Sequence, residues 1–120
     1  MKLLKSEYVV EFLDYLEDKT GTKNFFIMMK FCENGNLSEF LTKNKNITDE
    51  QIIEIFIGIL NGLIVLNKNK IIHSDLKPLN ILLSAQNKPL IADFGMSKQL
   101  MDNKTRTALM GGTEDYLSPE

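Results

Sequence analysis

Apolar runs along the chain alternate with short polar breaks. Val9 to Tyr15 (VVEFLDY) and Phe25 to Phe31 (FFIMMKF) are rich in aliphatic and aromatic residues, and the polar stretch EDKTGTKN between them carries a glycine. Two strands joined in a hairpin are predicted, with Met28 and Met29 as core filler. Asn36 then heads the segment LSEFLTK, with Glu39 three residues on. That spacing lets an N-cap side chain satisfy a free N–H of the first turn while the glutamate reaches back, so a short helix is expected. After the break NKN, Thr48 stands three residues before Gln51, again a capping-box spacing, and opens the run IIEIFIGILNGLIVL. Its apolar positions cover nearly every side of a helical wheel, whereas a surface helix shows one stripe. The pattern predicts a helix to about Leu66 that other elements surround. Beyond it lie only short strand-like pieces, Ile71-Ile72, Ile81 to Leu83 and Leu90 to Ala92, and a loop-rich tail from Asp93 to Glu120. Such loops are where chemistry usually sits.

Composition narrows the function classes. With 120 residues, 14 Lys+Arg against 16 Asp+Glu and a net charge of −2, the chain is one small unit without the basic field that phosphate-backbone binding needs, and nucleic acid is excluded as a main partner. The single cysteine, Cys32, and the single histidine, His73, rule out an internal disulfide framework or a Cys/His zinc cluster, and fit a reducing compartment. The apolar run 52–66 falls short of the roughly 20 residues that span a bilayer and contains Glu54 and Asn61. No signal-peptide pattern opens the chain, so a cytoplasmic protein without a membrane span is expected.

The polar stretch His73-Ser74-Asp75-Leu76-Lys77-Pro78-Leu79-Asn80 lies between two apolar strand ends, and Asp93-Phe94-Gly95 directly follows another. Asn80 and Asp93 are two oxygen donors of the kind that suit a hard cation such as magnesium. Asp75 adds a separate carboxylate and Lys77 an ammonium. Phosphoryl transfer from a nucleotide needs such parts, since its catalysis is mostly positioning and charge neutralisation.

HSDLKPLN, DFG and the terminal GGTEDYLSPE resemble the catalytic loop, magnesium loop and activation-segment end of eukaryotic protein kinases, in the right order and spacing. The resemblance covers the whole chain. It implies an α+β, protein kinase-like fold that is incomplete: residues 1–29 as a small-lobe remnant with the end of helix C, 30–35 as the hinge, and 36–120 as a large-lobe portion in which the long apolar helix is helix E. It implies a serine/threonine protein kinase that uses ATP and Mg2+ and acts on a protein substrate. Lysine two residues after the aspartate, followed by proline, is similar to the serine/threonine rather than the tyrosine group. Asp75 then accepts or orients the substrate hydroxyl proton, and Lys77 offsets charge on the transferring group. Asn80 and Asp93 hold magnesium, with Gly95 permitting the backbone turn after Asp93. Met29 takes the gatekeeper position, the backbones of Lys30 and Cys32 bond the adenine edge, and Leu82 and Ala92 pack on the base. Thr113 binds near Asp75 and Lys77. Thr105 and Thr107 are phosphorylation sites to test, whereas His73 reads as a packing residue and Cys32 as a quiet thiol.

The glycine-rich G-x-G-x-x-G loop and the V-A-I-K-type lysine are not in the sequence, so the chain by itself is expected to be inactive. An inactive kinase-like binding or regulatory fragment is the alternative reading. A small-molecule phosphotransferase of the aminoglycoside or choline kinase type is a third, against which Lys77-Pro78, Gly95 and the T-x-x-Y-x-x-P-E ending count. Ser74 stands where many kinases have an arginine that pairs with a phosphorylated activation loop, and a serine has no charge with which to read a phosphate. In a complete version of the protein, Ser74→Arg is therefore expected to increase the dependence of activity on phosphorylation of Thr105 or Thr107. Comparing transfer rates of the phosphorylated and dephosphorylated variant checks this, and equal rates would overturn it.

Overall fold

A computed structural model describes residues 4–18, 24–100 and 113–116. In chain order its elements are strands β1 (Phe12–Glu17) and β2 (Phe25–Met29), helices α1 (Leu37–Lys43) and α2 (Asp49–Lys68), strands β3 (Ile71–Ile72), β4 (Ile81–Leu83), β5 (Pro89–Ile91) and β6 (Lys98–Gln99), with 3-10 turns at Pro78–Asn80 and Glu114–Tyr116. Strands pair antiparallel as β1 with β2, β3 with β6 and β4 with β5. This mixture of helices and small sheets is the α+β architecture expected.

Both helix starts follow from local chemistry. The Asn36 Oδ1 accepts the Glu39 N–H at 2.9 Å while its Nδ2 donates to Glu39 Oε1 at 2.9 Å. Thr48 and Gln51 form a reciprocal capping box, at 3.1 and 3.3 Å, that satisfies two of the N–H groups a helix start leaves free.

The β4–β5 hairpin is the centre of the fold. On one edge, Val10 N–H donates to Ile91 O and Ile91 N–H to Tyr8 O, each at 2.9 Å. On the other, Leu83 N–H donates to Gly35 O at 2.9 Å and Asn34 N–H to Leu83 O at 3.2 Å. Four extended segments thus lie side by side, and their period of two sorts the side chains. Val9, Ile81, Leu83 and Ile91 join Leu37, Ile55 and Leu66 in the main core. Val10, Cys32 and Ala92, with Leu82 and Leu90 against them, form a second, smaller cluster. Full burial of a side chain such as Leu66 or Leu83 is worth about 1.5–3 kcal/mol.

Several sequence expectations need correction. The first strand begins at Phe12, not Val9, because β5 claims the backbone on either side of Val9, which forms an isolated parallel bridge with Ile91. Met28 and Met29 are not core filler: they are 40% and 45% exposed, on a β1–β2 hairpin whose residues are exposed on both faces. Nor is α2 surrounded among the described residues. Ile55, Gly58, Gly62 and Leu66 are buried, whereas Ile52, Ile53, Phe56, Ile57, Leu60 and Ile64 are exposed. Among the described residues, β3 and β5 pack along one face of the helix and leave the others open.

That covered face is built on two glycines one helical turn apart. A Cβ on Gly58 would lie 2.4 Å from Pro89 Cγ, and one on Gly62 2.7 Å from Ile91 Cδ1 and 3.1 Å from the carbonyl oxygen of Tyr8. Alanine in a helix interior gains about 1 kcal/mol over glycine, but overpacking against a rigid proline ring costs about 1–3 kcal/mol. Gly58→Ala is expected to destabilise the fold by up to about 2 kcal/mol net, read from the midpoint of a denaturant melt. A stabilised variant would show slack in this contact.

Candidate functional site

The loop between β3 and β4 is fixed from beneath by His73, which is buried and meets Phe94 edge to face at 5.1 Å between ring centroids. Its Nε2 lies 2.8 Å from Ala92 O, and its Nδ1 lies 3.3 Å from Asp75 N. A carbonyl can only accept and an amide N–H can only donate. The ring therefore carries its proton on Nε2 and accepts at Nδ1. This is the packing and backbone-support role that the resemblance implies for His73.

From there the chain turns through Ser74, at φ +69°, whose Oγ is buried without a hydrogen-bond partner among the described residues. Asp75 follows and is the hub of the site. Lys77 Nζ lies 2.8 Å from its Oδ2, Thr113 Oγ1 donates to its Oδ1 at 2.7 Å, and Asn80 Nδ2 donates to its Oδ2 at 3.0 Å. Asn80 Nδ2 also holds the Asp75 carbonyl at 2.8 Å, and Lys77 Nζ donates to Thr113 Oγ1 at 2.8 Å. The Lys77 and Thr113 hydrogen bonds, with a smaller share from Asn80, pull the Asp75 carboxyl down to about 2. One carboxylate, one ammonium, one amide and one hydroxyl thus converge in a single network.

Pro78 opens the 3-10 turn that carries Asn80, closed by the Asn80 N–H on Lys77 O at 2.9 Å. Asn80 O in turn accepts the Ala92 N–H at 2.9 Å, which brings Asn80 beside the residue that precedes Asp93. Gly95 differs from expectation. The left-handed residue of this turn is Asp93 itself, at φ +59°, and glycine 95 is not. Gly95 instead donates its N–H to Asp93 Oδ1 at 3.2 Å, and a Cβ there would come within 3.2 Å of that same oxygen. Asparagine and aspartate tolerate the left-handed region better than most residues.

Cys32, Leu82 and Ala92 meet in the smaller core cluster. Burial, then the neighbouring Glu33, pushes the Cys32 thiol up, which keeps it protonated and inert. Lys30 donates its N–H to Glu11 O at 2.9 Å, and its carbonyl accepts a weak hydrogen bond from the Cys32 thiol at 3.8 Å. Met29 ends β2 and is exposed. Thr105 and Thr107 lie outside the described residues. Among those residues no group of three His, Cys, Asp or Glu side chains could hold a metal, and none of the helices is long and apolar enough to cross a membrane. Sequence reasoning passed over Asn34, whose amide reaches the β4–β5 turn. The only available signal was an asparagine in a glycine turn.

The family model described as protein kinase domain matches residues 1–120, the whole chain. The chain belongs to the protein kinase family. It is 37% identical over its full length to "Serine/threonine-protein kinase 4 homolog B" of Dictyostelium discoideum, of which it covers 11%. It is 35% identical, again over its full length, to "Serine/threonine-protein kinase Nek6" of Oryza sativa subsp. japonica, of which it covers 22%. Against "Dual specificity mitogen-activated protein kinase kinase 1" of Dictyostelium discoideum, 94% of the chain aligns at 36% identity and covers 17% of that protein. This kinase chain therefore spans between 11% and 22% of the length of these relatives.

The lowered carboxyl carries a pH prediction. Stability that Asp75 draws from its partners is fully present above the ordinary aspartate range near 4 and is lost as pH falls toward 2. Lys77→Met removes the largest cause of the shift. It is expected to move the Asp75 titration, followed by carboxyl-carbon NMR, up toward the ordinary range, and an unmoved titration would show that Lys77 is not the cause.

Proposed function

We propose that this chain is the catalytic-loop portion of a serine/threonine protein kinase, which transfers the γ-phosphoryl group of ATP to a serine or threonine hydroxyl of a protein in the cytoplasm. Residues 1–29 belong to its small lobe, 30–35 form the hinge and 36–120 lie in the large lobe. The observation that carries the reading is the Thr113 hydroxyl, held between Asp75 Oδ1 at 2.7 Å and Lys77 Nζ at 2.8 Å. An aliphatic hydroxyl there donates to the carboxylate and accepts from the ammonium, the two relations a substrate hydroxyl needs during transfer.

Asp75, ionised at neutral pH, aims the lone pair of the attacking oxygen by accepting its hydrogen bond. It takes the proton late, once bonding to phosphorus has acidified that oxygen. Lys77 offsets negative charge on the transferring group. Asn80 keeps the Asp75 carboxylate oriented through Oδ2 and the loop through its carbonyl. Lys30 O and the Cys32 backbone recognise the adenine edge, with Met29 at the gatekeeper position and Leu82 and Ala92 against the base.

The donor set fits magnesium. The amide oxygen of Asn80 and the carboxylate of Asp93 are hard oxygen ligands on residues that the Ala92 peptide joins, and a magnesium ion keeps further positions for phosphate and water. Bound there, magnesium neutralises charge on the phosphate oxygens of the nucleotide.

Asp75→Asn in the full-length protein keeps the shape of the side chain and removes the carboxylate. Transfer to a peptide substrate is expected to fall about 10²–10⁴-fold while magnesium-dependent ATP binding persists. ATP binding without turnover by the wild-type protein would overturn the enzyme reading in favour of a binding module, and undiminished turnover by Asp75→Asn would remove Asp75 from the reaction.

A further inference from the structure

A second set of polar contacts ties residues 33–36 to the β4–β5 turn. The Asn34 side-chain amide donates to Asn87 Oδ1 at 2.7 Å, to Ser84 O at 3.0 Å and, at 3.4 Å, to Ala85 O. Glu33 Oε2 accepts the Ala85 N–H at 3.0 Å. The Asn34 N–H and Gly35 O form the backbone pair with Leu83 already described. The turn itself is closed by Asn87 N–H on Ser84 O at 2.9 Å, with Asn87 in the left-handed region at φ +59°.

These contacts stand two residues from Cys32 along one segment and two from Leu82 along the other. Both belong to the smaller core cluster, with Ala92. We propose that Asn34 is a positioning residue for the nucleotide base: it holds the segment 30–35 in register on β4, so that the gap between the Cys32 backbone and the Leu82 side chain stays fixed. The backbone pair alone leaves a partly exposed edge free to slide or splay. The amide adds two hydrogens facing acceptors that all belong to the turn, a chemistry that aspartate of the same shape reverses, because it would set a carboxylate against two carbonyl oxygens and the amide oxygen of Asn87. Asp75, Lys77 and Asn80 are held by a separate network, so loss of Asn34 acts on base recognition and leaves the transfer step alone.

The inference rests on the kinase reading, and the test keeps the two apart. In the full-length protein, Asn34→Asp is expected to raise the KM for ATP roughly fivefold with kcat within about twofold, and the milder Asn34→Ala to raise it about threefold. The peptide-substrate KM is expected to stay unchanged. Unchanged KM for ATP in both variants, or a lowered kcat with unchanged KM, overturns the positioning role while leaving the kinase reading intact. Should the wild-type protein neither bind nor turn over ATP, the kinase reading falls and takes base positioning with it. Amide hydrogen exchange gives a readout independent of activity: Leu83 and Ala85 N–H are expected to exchange faster in Asn34→Asp, and unchanged exchange overturns the clamp itself.

Discussion

The site depends on the backbone of one buried residue. Ala92 gives its N–H to Asn80 O at 2.9 Å and its carbonyl to the His73 Nε2–H at 2.8 Å, so the two ends of the loop 73–80 close on a single residue. Ala92 is 4% exposed, and breaking either bond would strand a desolvated polar group at a cost of about 1–3 kcal/mol. Asp93 comes next along the chain. The backbone alone therefore brings it into the neighbourhood of Asn80, and the pair needs no direct bond to stay together. Ala92 in its turn inherits its place from β5, which Tyr8 and Val10 grip on one edge and β4 on the other.

Electrostatics at the other end of the loop are nearly self-contained. Lys77 and Asp75 cancel each other's charge, and Thr113 and Asn80 contribute dipoles whose donors face the carboxylate. Such a network holds the carboxylate in its ionised form without a second cation. It also fixes both Asp75 oxygens in different roles: Oδ2 is occupied by Lys77 and Asn80, and Oδ1 by a hydroxyl.

What could be read from sequence was what is local. Asn36 with Glu39 and Thr48 with Gln51 declared the starts of both helices because a capping box is closed within four residues. The short apolar pieces Ile81 to Leu83 and Leu90 to Ala92 declared two strands, the second one residue later than the observed Pro89–Ile91. HSDLKPLN and DFG stood out because their spacing is set by turns that the same residues make. Non-local pairing was hidden: nothing in VVEFLDY says that Val9 and Val10 belong to a strand more than eighty residues away. The apolar count of α2 was correct and its burial was not, because a wheel reports composition and only partners report cover. The turn at Asp93 was assigned to its glycine on propensity, whereas the bond from Gly95 N–H to the carboxylate makes the aspartate the residue that bends. Asn34 was legible as a turn residue but not as a cross-link, since its partners lie at 84–87.

The glycine pair of α2 has a consequence for how the molecule can move. Where side chains separate two elements, rotamer changes let them slide by small amounts, and a contact of that kind behaves as a lubricated joint. At Gly58 and Gly62 no side chain from the helix stands between its backbone and Pro89, Ile91 or the Tyr8 carbonyl. Helix and strand there share a hard boundary, so α2 serves as a datum from which β5, then Ala92, then Asp93 are measured.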